Sequence, residues 1–187
     1  MTILLVRHGE TAGNASRILQ RSDAPLNERG LAQAERLAAR LRGMAIAHVL
    51  CSDLPRAQMT AAPLAAFATI EHTALLQERN FGTLRGTPYA ELTRDPFAPD
   101  YEPPGGEGVP AFHARVARAW AAIASRRRDL AGPLVVVTHG LVCRALVERH
   151  AQAAALPERF DNAGLTVIDA APPFAARLIN CTQHLRD

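Results

Sequence analysis

The sequence contains no lysine, because all 21 of its basic residues are arginine. This absence excludes a Walker lysine and a Schiff-base lysine, and with them the P-loop NTPases and several classes of lyase. Cysteine is also scarce. Cys51, Cys143 and Cys181 are far apart and form no C-x-x-C pair, so we expect neither a disulfide framework nor a zinc knuckle.

Long apolar runs and a strong charge of one sign are missing as well. No stretch reaches membrane-spanning length, and the N-terminal apolar run has neither a basic leader nor a cleavage site. We therefore expect a cytoplasmic protein with no membrane partner. The formal net charge is only +3, and the run Arg126-Arg127-Arg128 falls where a long helix should end, which favours a helix terminus over a nucleic-acid surface.

Hydrophobic residues make up 48% of the 187 residues, which is enough for one sizeable core. We predict a single domain that spans residues 1–187. Strand-like runs at residues 3–6, 46–51, 134–138 and 165–169, with another strand near His72, alternate with helical patterns. This order predicts an α/β fold, a three-layer α/β/α sandwich with a mostly parallel central sheet.

Three helical segments carry specific expectations. A helix at residues 28–42 should bury its apolar stripe, and Pro63 should kink or divide the helical stretch at residues 54–68. A long helix should begin near Val109 and place one apolar stripe in the core. The buried stripe expected for the first helix comprises Leu31, Ala34, Leu37, Ala38 and Leu41.

Residues 82–108 are rich in proline and glycine and show little periodicity. Long ordered loops in compact domains usually carry function. We expect this loop-rich excursion to lie over the active site.

Chemistry-bearing side chains follow three of the predicted strands. Arg7-His8-Gly9 comes directly after the first strand, His139-Gly140 after the strand at 134–138, and Arg56 shortly after the strand at 46–51. The carboxyl ends of parallel strands open on one edge of a sheet, so these groups should meet there. Neutral histidine is a nucleophile and arginine offers a planar fork of donors that suits phosphate oxygens, so the pattern predicts a phosphate-handling site.

The ordered set of motifs resembles the histidine phosphatase superfamily, the phosphoglycerate-mutase-like proteins, over almost the whole chain. Its ending at residues 177–185 is similar to the short phosphatase branch of that family. The matching elements are Arg7-His8-Gly9-Glu10-Thr11 with Asn14, Pro25-Leu26-Asn27-Glu28-Arg29-Gly30, Ser52-Asp53-Leu54-Pro55-Arg56-Ala57 with Thr60-Ala61, Glu78 with Phe81-Gly82 and Gly86, and Thr138-His139-Gly140.

The resemblance implies a role for each matching residue. His8 would be the nucleophile that becomes phosphorylated, Arg7, Arg56 and His139 would clamp the transferring phosphoryl group, and Glu78 would be the general acid. The positions expected to bind substrate are Gly9, Asn14, Gln20 and Gly140. The arrangement requires no metal and no cofactor, and the remaining histidines share no metal-ligand spacing.

The resemblance implies a histidine acid phosphatase-like phosphomonoesterase acting on a small-molecule phosphomonoester. The alternatives are a cofactor-dependent phosphoglycerate mutase and a non-catalytic phosphate-binding protein of the same fold. The short chain and the paucity of basic residues between Gly82 and Gly108 favour the phosphatase. A cysteine phosphatase built on Cys143 and Arg149 is disfavoured because the glycine-free segment between them is typical of a helix.

Several properties stay open at this level. The organic part of the substrate could be α-ribazole, a sugar or glycerate, and the sequence does not give the oligomeric state. Arg21 and Arg85 replace residues that are common in the family. They either add positive charge near the mouth of the site, which would favour a more anionic substrate, or are solvated surface arginines, and the sequence does not decide between these roles.

Overall fold

A computed structural model describes residues 2–186 and contains one six-stranded sheet in the order β3-β2-β4-β1-β5-β6. The strands β3, β2, β4 and β1 are parallel to one another, whereas β5 is antiparallel to both β1 and β6. The predicted α/β class with a mostly parallel sheet is therefore confirmed. The strand bounds are β1 Thr2–Arg7, β2 His48–Ser52, β3 Ile70–Thr73, β4 Leu134–Thr138, β5 Leu165–Asp169 and β6 Ala176–Cys181.

Helices cover both faces of the sheet because its central strands are apolar on both sides. In β1, Ile3 and Leu5 face a core shared with α4 and α5, while Leu4 and Val6 face a second core shared with α2 and α3. These are the three predicted layers. The helix bounds are α1 Ala12–Ala15, α2 Glu28–Leu41, α3 Pro55–Ala61, α4 Val109–Arg128 and α5 Gly140–His150.

Proline and arginine act at the helix ends as expected. The helical stretch that contains Pro63 is divided into α3 and a 3₁₀ turn, Ala62–Ala66. The run Arg126-Arg127-Arg128 forms the last turn of α4, where its charge opposes the negative end of the helix dipole.

The prediction for Leu31 is wrong, since 45% of this residue is exposed. The buried stripe of α2 is centred on Ala34, Leu37, Ala38 and Leu41, and its first turn instead buries Gly30 and Gln33. The Gln33 side chain accepts a hydrogen bond from the Glu10 amide at 2.8 Å. The first turns of α2 therefore bury the polar Gln33 against the loop after β1, and not the apolar Leu31.

Register brings three strand ends together. Arg7 of β1 is opposite Thr138 of β4, and Cys51 of β2 is opposite Val137. The residues that follow β1 and β4 therefore emerge side by side at the carboxyl edge of the sheet, which is where α/β folds bind ligands. Within residues 2–186, no helix combines the length and the apolar character needed to cross a bilayer.

Candidate active site

The two histidines that follow β1 and β4 are neighbours. The rings of His8 and His139 have centroids 5.1 Å apart, and both side chains are buried. The His8 amide donates to the Thr138 carbonyl at 2.8 Å, which continues the sheet ladder one residue beyond β1. The predicted meeting of these two residues is thus a direct result of the parallel register.

His8 is held in the tautomer that a nucleophile needs. Its Nδ1 lies 2.7 Å from the Gly9 carbonyl, so Nδ1 carries the proton and donates, and Nε2 keeps its lone pair. Burial, together with the charges of Arg7 and Arg56, lowers the pKa of His8 well below its ordinary value. The imidazole is therefore neutral at pH 7.

Gly9 positions the His8 ring through its backbone carbonyl. Its amide donates to Thr60 Oγ1 at 2.9 Å and its carbonyl accepts from His8, so in this arrangement the Gly9 amide is already used within the protein. A Cβ at Gly9 would lie 2.7 Å from the Gly30 carbonyl oxygen. Only glycine permits this close approach of two loops.

Two guanidinium groups lie beside His8, those of the buried Arg56 and the half-buried Arg7. Arg7 donates to the Phe160 carbonyl and Arg56 to the Arg21 carbonyl, at 3.1 Å in the second case. The Nε atoms of both arginines are buried without a hydrogen-bond partner among residues 2–186. Burial, with repulsion from Arg85 and Arg7, lowers the pKa of Arg56 to about 10, so it remains charged at pH 7.

His139 is anchored through one ring nitrogen only. Its Nε2 lies 2.8 Å from Ser52 Oγ, and its Nδ1 is buried with no partner in the described part of the chain. Burial and the charge of Arg56 lower the pKa of His139 well below its ordinary value. A buried polar atom without a partner is costly, so Nδ1 is a free hydrogen-bonding position beside His8.

Glu78 approaches the same centre from the segment after β3. Its carboxylate accepts from the backbone amides of Arg79 at 3.0 Å and Leu141 at 3.2 Å. Burial raises the pKa of Glu78 despite these amides and the charges of Arg56 and Arg7. A carboxyl group with a raised pKa is suited to donate a proton near neutral pH. One amide at the start of α5, that of Leu141, is thus already used by Glu78.

Two other arginines fix the segment that carries Glu78. Arg115 of α4 donates to the carbonyls of Leu75 and Gln77, at 2.9 and 2.8 Å, and pairs with the Glu107 carboxylate at 2.7 Å. Arg79 donates to the carbonyls of Glu107, Pro96 and Tyr101. These bonds tie the second half of the excursion to the segment that carries Glu78.

Asn14 and Gln20 lie on one wall of the site. Asn14 and Thr11 form a capping box at the start of α1, and Gln20 Oε1 accepts from Thr11 Oγ1 at 2.9 Å. Both side chains line the central cavity, as does Gly140, where a Cβ would lie 3.4 Å from Arg7 Nε. The structure therefore brings the proposed substrate-binding positions other than Gly9 to the cavity surface.

The cavity measures about 1340 Å³ and is bordered by arginine on most sides. The excursion contributes Arg85, Tyr89 and Phe97 to its wall, and Phe81, just before the excursion, lies beside them. The cavity is also lined by arginines that lie outside residues 82–108. It is therefore more basic than the few basic residues of the excursion suggest. The arginines outside the excursion are Arg17, Arg29, Arg36, Arg144, Arg159 and Arg186.

Arg21 and Arg85 are placed differently. Arg85 lines the cavity, whereas the Arg21 side chain pairs on the surface with Asp23 at 3.3 Å and only its carbonyl reaches Arg56. Of the two roles left open by the sequence, Arg85 therefore adds charge at the cavity, while Arg21 is a solvated surface arginine. A local ion pair two residues away holds the Arg21 side chain outside.

Asn162 is the main site residue that sequence reasoning missed. Its Nδ2 lies within 3.1 Å of the carbonyls of His8 and Gly9 and of Asn14 Oδ1. It precedes β5 and reaches His8 across more than 150 residues of chain. No local pattern marks it, and only the antiparallel pairing of β1 with β5 places it there.

Cys143 and Arg149 both lie within α5, and burial raises the pKa of the Cys143 thiol. The helix leaves no phosphate-cradling loop between them, in agreement with the prediction. Across residues 2–186, no group of three or more His, Cys, Asp or Glu side chains is arranged to hold a metal ion.

The fold and the site define an α/β protein with an anion pocket of two histidines and two arginines at its sheet edge. The chain belongs to the histidine phosphatase superfamily (branch 1), whose sequence model matches residues 3–176. It is 35% identical over 180 residues to phosphoglycerate mutase-like protein 4 of Arabidopsis thaliana, a match that covers 88% of this chain and 77% of that protein.

Solved structures of two kinds resemble the chain. The α-ribazole phosphatase of Shigella flexneri superposes with a TM-score of 0.82 at 28% identity, over 97% of this chain and 96% of that one. The phosphoglycerate mutase of Thermus thermophilus gives a TM-score of 0.70 at 33% identity, over 95% and 97%. Relatives named as phosphatases and as mutases therefore share this fold.

Proposed function

We propose that the protein hydrolyses a small-molecule phosphomonoester through a phosphohistidine at His8. The observation that carries the proposal is the His8 ring, whose Nδ1 is bound to the Gly9 carbonyl and whose Nε2 is free beside two arginines with buried, unpartnered Nε atoms. That is the arrangement of an activated nucleophile next to donors for a charged phosphoryl group.

The first half of the reaction transfers the phosphoryl group to the protein. His8 Nε2 bonds to phosphorus while the bond from phosphorus to the alcohol oxygen breaks. Arg7, Arg56 and His139 Nδ1 hold the equatorial oxygens, and the Glu78 carboxyl proton passes to the departing oxygen. In the second half, the Glu78 carboxylate takes a proton from water, which attacks phosphorus and releases phosphate and neutral His8.

Hydrolysis is favoured over mutase chemistry by the wide cavity. A mutase must retain a doubly phosphorylated intermediate and exclude water while that intermediate reorients. The exposed aromatic residues of the excursion, Tyr89 and Phe97, leave the mouth open to solvent. The similarity to the α-ribazole phosphatase is consistent with this choice, and the acid phosphatase-like assignment belongs to the same proposal.

The arginine-rich wall keeps the mutase as the second candidate, since extra cations are what a bisphosphorylated intermediate needs. The test is to incubate the protein with 3-phosphoglycerate and catalytic 2,3-bisphosphoglycerate, and separately with a panel of monoesters in chelator. We expect phosphate release from a monoester and no 2-phosphoglycerate ahead of phosphate. Rapid 2-phosphoglycerate formation that outpaces phosphate release would establish the mutase instead.

A further inference from the structure

Two arginines at the rim of the cavity are left without a partner by the described part of the chain. Arg17, just after α1, and Arg85, after the 3₁₀ turn Gly82–Leu84, both line the cavity. Within residues 2–186 neither guanidinium takes part in a hydrogen bond or an ion pair. Other arginines of the same wall are paired, such as Arg29 with Glu10 at 3.2 Å.

The segments that carry Arg17 and Arg85 are fastened to each other. The Tyr89 amide donates to the Arg17 carbonyl at 2.9 Å. The Leu19 amide donates to the Thr87 carbonyl, and the Leu19 carbonyl accepts from the Gly86 amide. Ile18 and Pro88 form an antiparallel bridge at the same place. The two arginines are therefore held on one rim by the backbone, not by flexible side-chain contacts.

The charge of this region exceeds what a single phosphoryl group neutralises. Arg7 and Arg56 match the two negative charges of a phosphomonoester, burial raises the pKa of Glu78, and Glu10 is already bound by Arg29 and Asn27. Among residues 2–186, no acidic side chain forms an ion pair with Arg17 or Arg85. The charge of Arg85 already disfavours protonation of Arg56, a repulsion that a second anion would relieve.

We propose that Arg17 and Arg85 form a subsite for a second anionic group, a carboxylate or a further phosphate, on the leaving group of the substrate. The proposal rests on the proposed phosphatase function and narrows its substrates to phosphomonoesters that carry such a group. Tyr89 lies beside this subsite, because its backbone is bonded to Arg17 and its ring borders the cavity. Its edge-to-face contact with Phe97, at 5.9 Å between centroids, forms an aromatic flank.

The test compares substrates that differ only in the second anion. The carboxylate pairs are 3-phosphoglycerate with glycerol 3-phosphate and 6-phosphogluconate with sorbitol 6-phosphate, and the phosphate pair is fructose 1,6-bisphosphate with fructose 6-phosphate. In at least one pair, kcat/KM should favour the more anionic member by about 10-fold or more, the range expected for hydrogen bonds between charged groups. Which pair shows the preference identifies the anion.

Variants then assign that preference to the two arginines. In Arg17→Gln/Arg85→Gln, kcat/KM for the more anionic member should fall about 10- to 100-fold, while that for its partner changes less than about 3-fold. Arg118→Gln is the matched control, because Arg118 is exposed on α4 and does not border the cavity. If the protein hydrolyses these esters, a preference that survives in the double variant, or that is absent from every hydrolysed pair, would overturn the subsite.

Binding separates the subsite from the reaction. The same pairs are titrated by calorimetry into His8→Ala, in which turnover is blocked, and into His8→Ala with both arginine substitutions. In His8→Ala, the more anionic member of a pair should bind more tightly than its partner. In His8→Ala with both arginine substitutions, the two members should bind equally. If the unaltered protein hydrolyses no ester but this pattern holds, the proposed function fails and the subsite stands; equal binding to His8→Ala contradicts the subsite itself.

Discussion

The floor and the rim of the cavity are built in opposite ways. The floor comprises Arg7, His8 and Arg56, which line the cavity, and His139, whose ring lies 5.1 Å from that of His8. Its histidines and Arg56 are at most 2% exposed and are held at strand ends or on the adjoining helix. The rim comprises Arg17, Arg85, Tyr89 and Phe97, and its aromatic residues are 38% and 43% exposed on loops. This contrast indicates that the sheet fixes the chemistry while the loops select the ester.

The largest effect should come from the floor. His8→Ala removes the nucleophile, so kcat/KM should fall by at least about 10⁴-fold on every ester. Cys143→Ala is the control, because Cys143 is buried in α5 with a raised pKa and should be dispensable. Steady-state phosphate release measures both. Loss of activity in Cys143→Ala with activity retained in His8→Ala would reverse the assignment.

The next effect concerns Glu78 and depends on the leaving group. Alkyl phosphates need a proton on the departing oxygen, whereas p-nitrophenolate leaves as a stable anion. Glu78→Gln should therefore lower kcat about 10²- to 10⁴-fold on an alkyl ester and far less on p-nitrophenyl phosphate. Equal losses on both esters would show that Glu78 only binds or positions.

Lysine substitutions sharpen the contrast between floor and rim. Arg56 uses part of its guanidinium to bind the Arg21 carbonyl and leaves Nε free, so it needs the planar fork. Arg56→Lys should lower kcat/KM about 10²-fold on glycerol 3-phosphate, whereas Arg85→Lys should change it less than about 3-fold. Similar losses in the two variants would remove the distinction between the regions.

The smallest effect is on the pH profile. The active form has neutral His8 and protonated Glu78. Since the pKa of His8 is lowered from 6.5 and that of Glu78 is raised from 4.5, activity should persist below pH 6.5 and decline only as His8 protonates or Glu78 ionises. In Glu78→Gln the alkaline decline of kcat/KM should disappear. An unchanged alkaline limb would assign it to another group.

The floor could be predicted from sequence because its signals are local. His8 and His139 each follow a run of apolar residues, and parallel strands end on one edge, so their meeting follows from the fold class. Leu31 shows the limit of such patterns. The periodicity of α2 places Leu31 on the same apolar face as the buried residues, yet Leu31 is exposed. The side of the helix next to the loop after β1 is instead the one that carries Gln33, which binds the Glu10 amide.

The rim could not be predicted because its contacts join distant parts of the chain. Arg21 and Arg85 are equivalent in sequence terms, yet a neighbouring Asp23 holds one outside while the backbone pairing of 17–19 with 86–89 places the other at the cavity. The position of Asn162 beside His8 likewise depends on the pairing of β5 with the distant β1.

The edge strands β3 and β6 are half-exposed and give weak apolar signals in the sequence, because they lack the buried face that makes central strands recognisable.

The central claim is that the phosphoryl group passes through His8, and rapid quenching during turnover tests it most directly. Protein mixed with a hydrolysed monoester and quenched in base should carry a phosphoryl group that is stable in alkali, labile in acid, and located on His8 by peptide mass spectrometry. The His8→Ala protein should carry none. A phosphoryl group found on another residue, or steady hydrolysis with no phosphoenzyme at any quench time, would contradict the account.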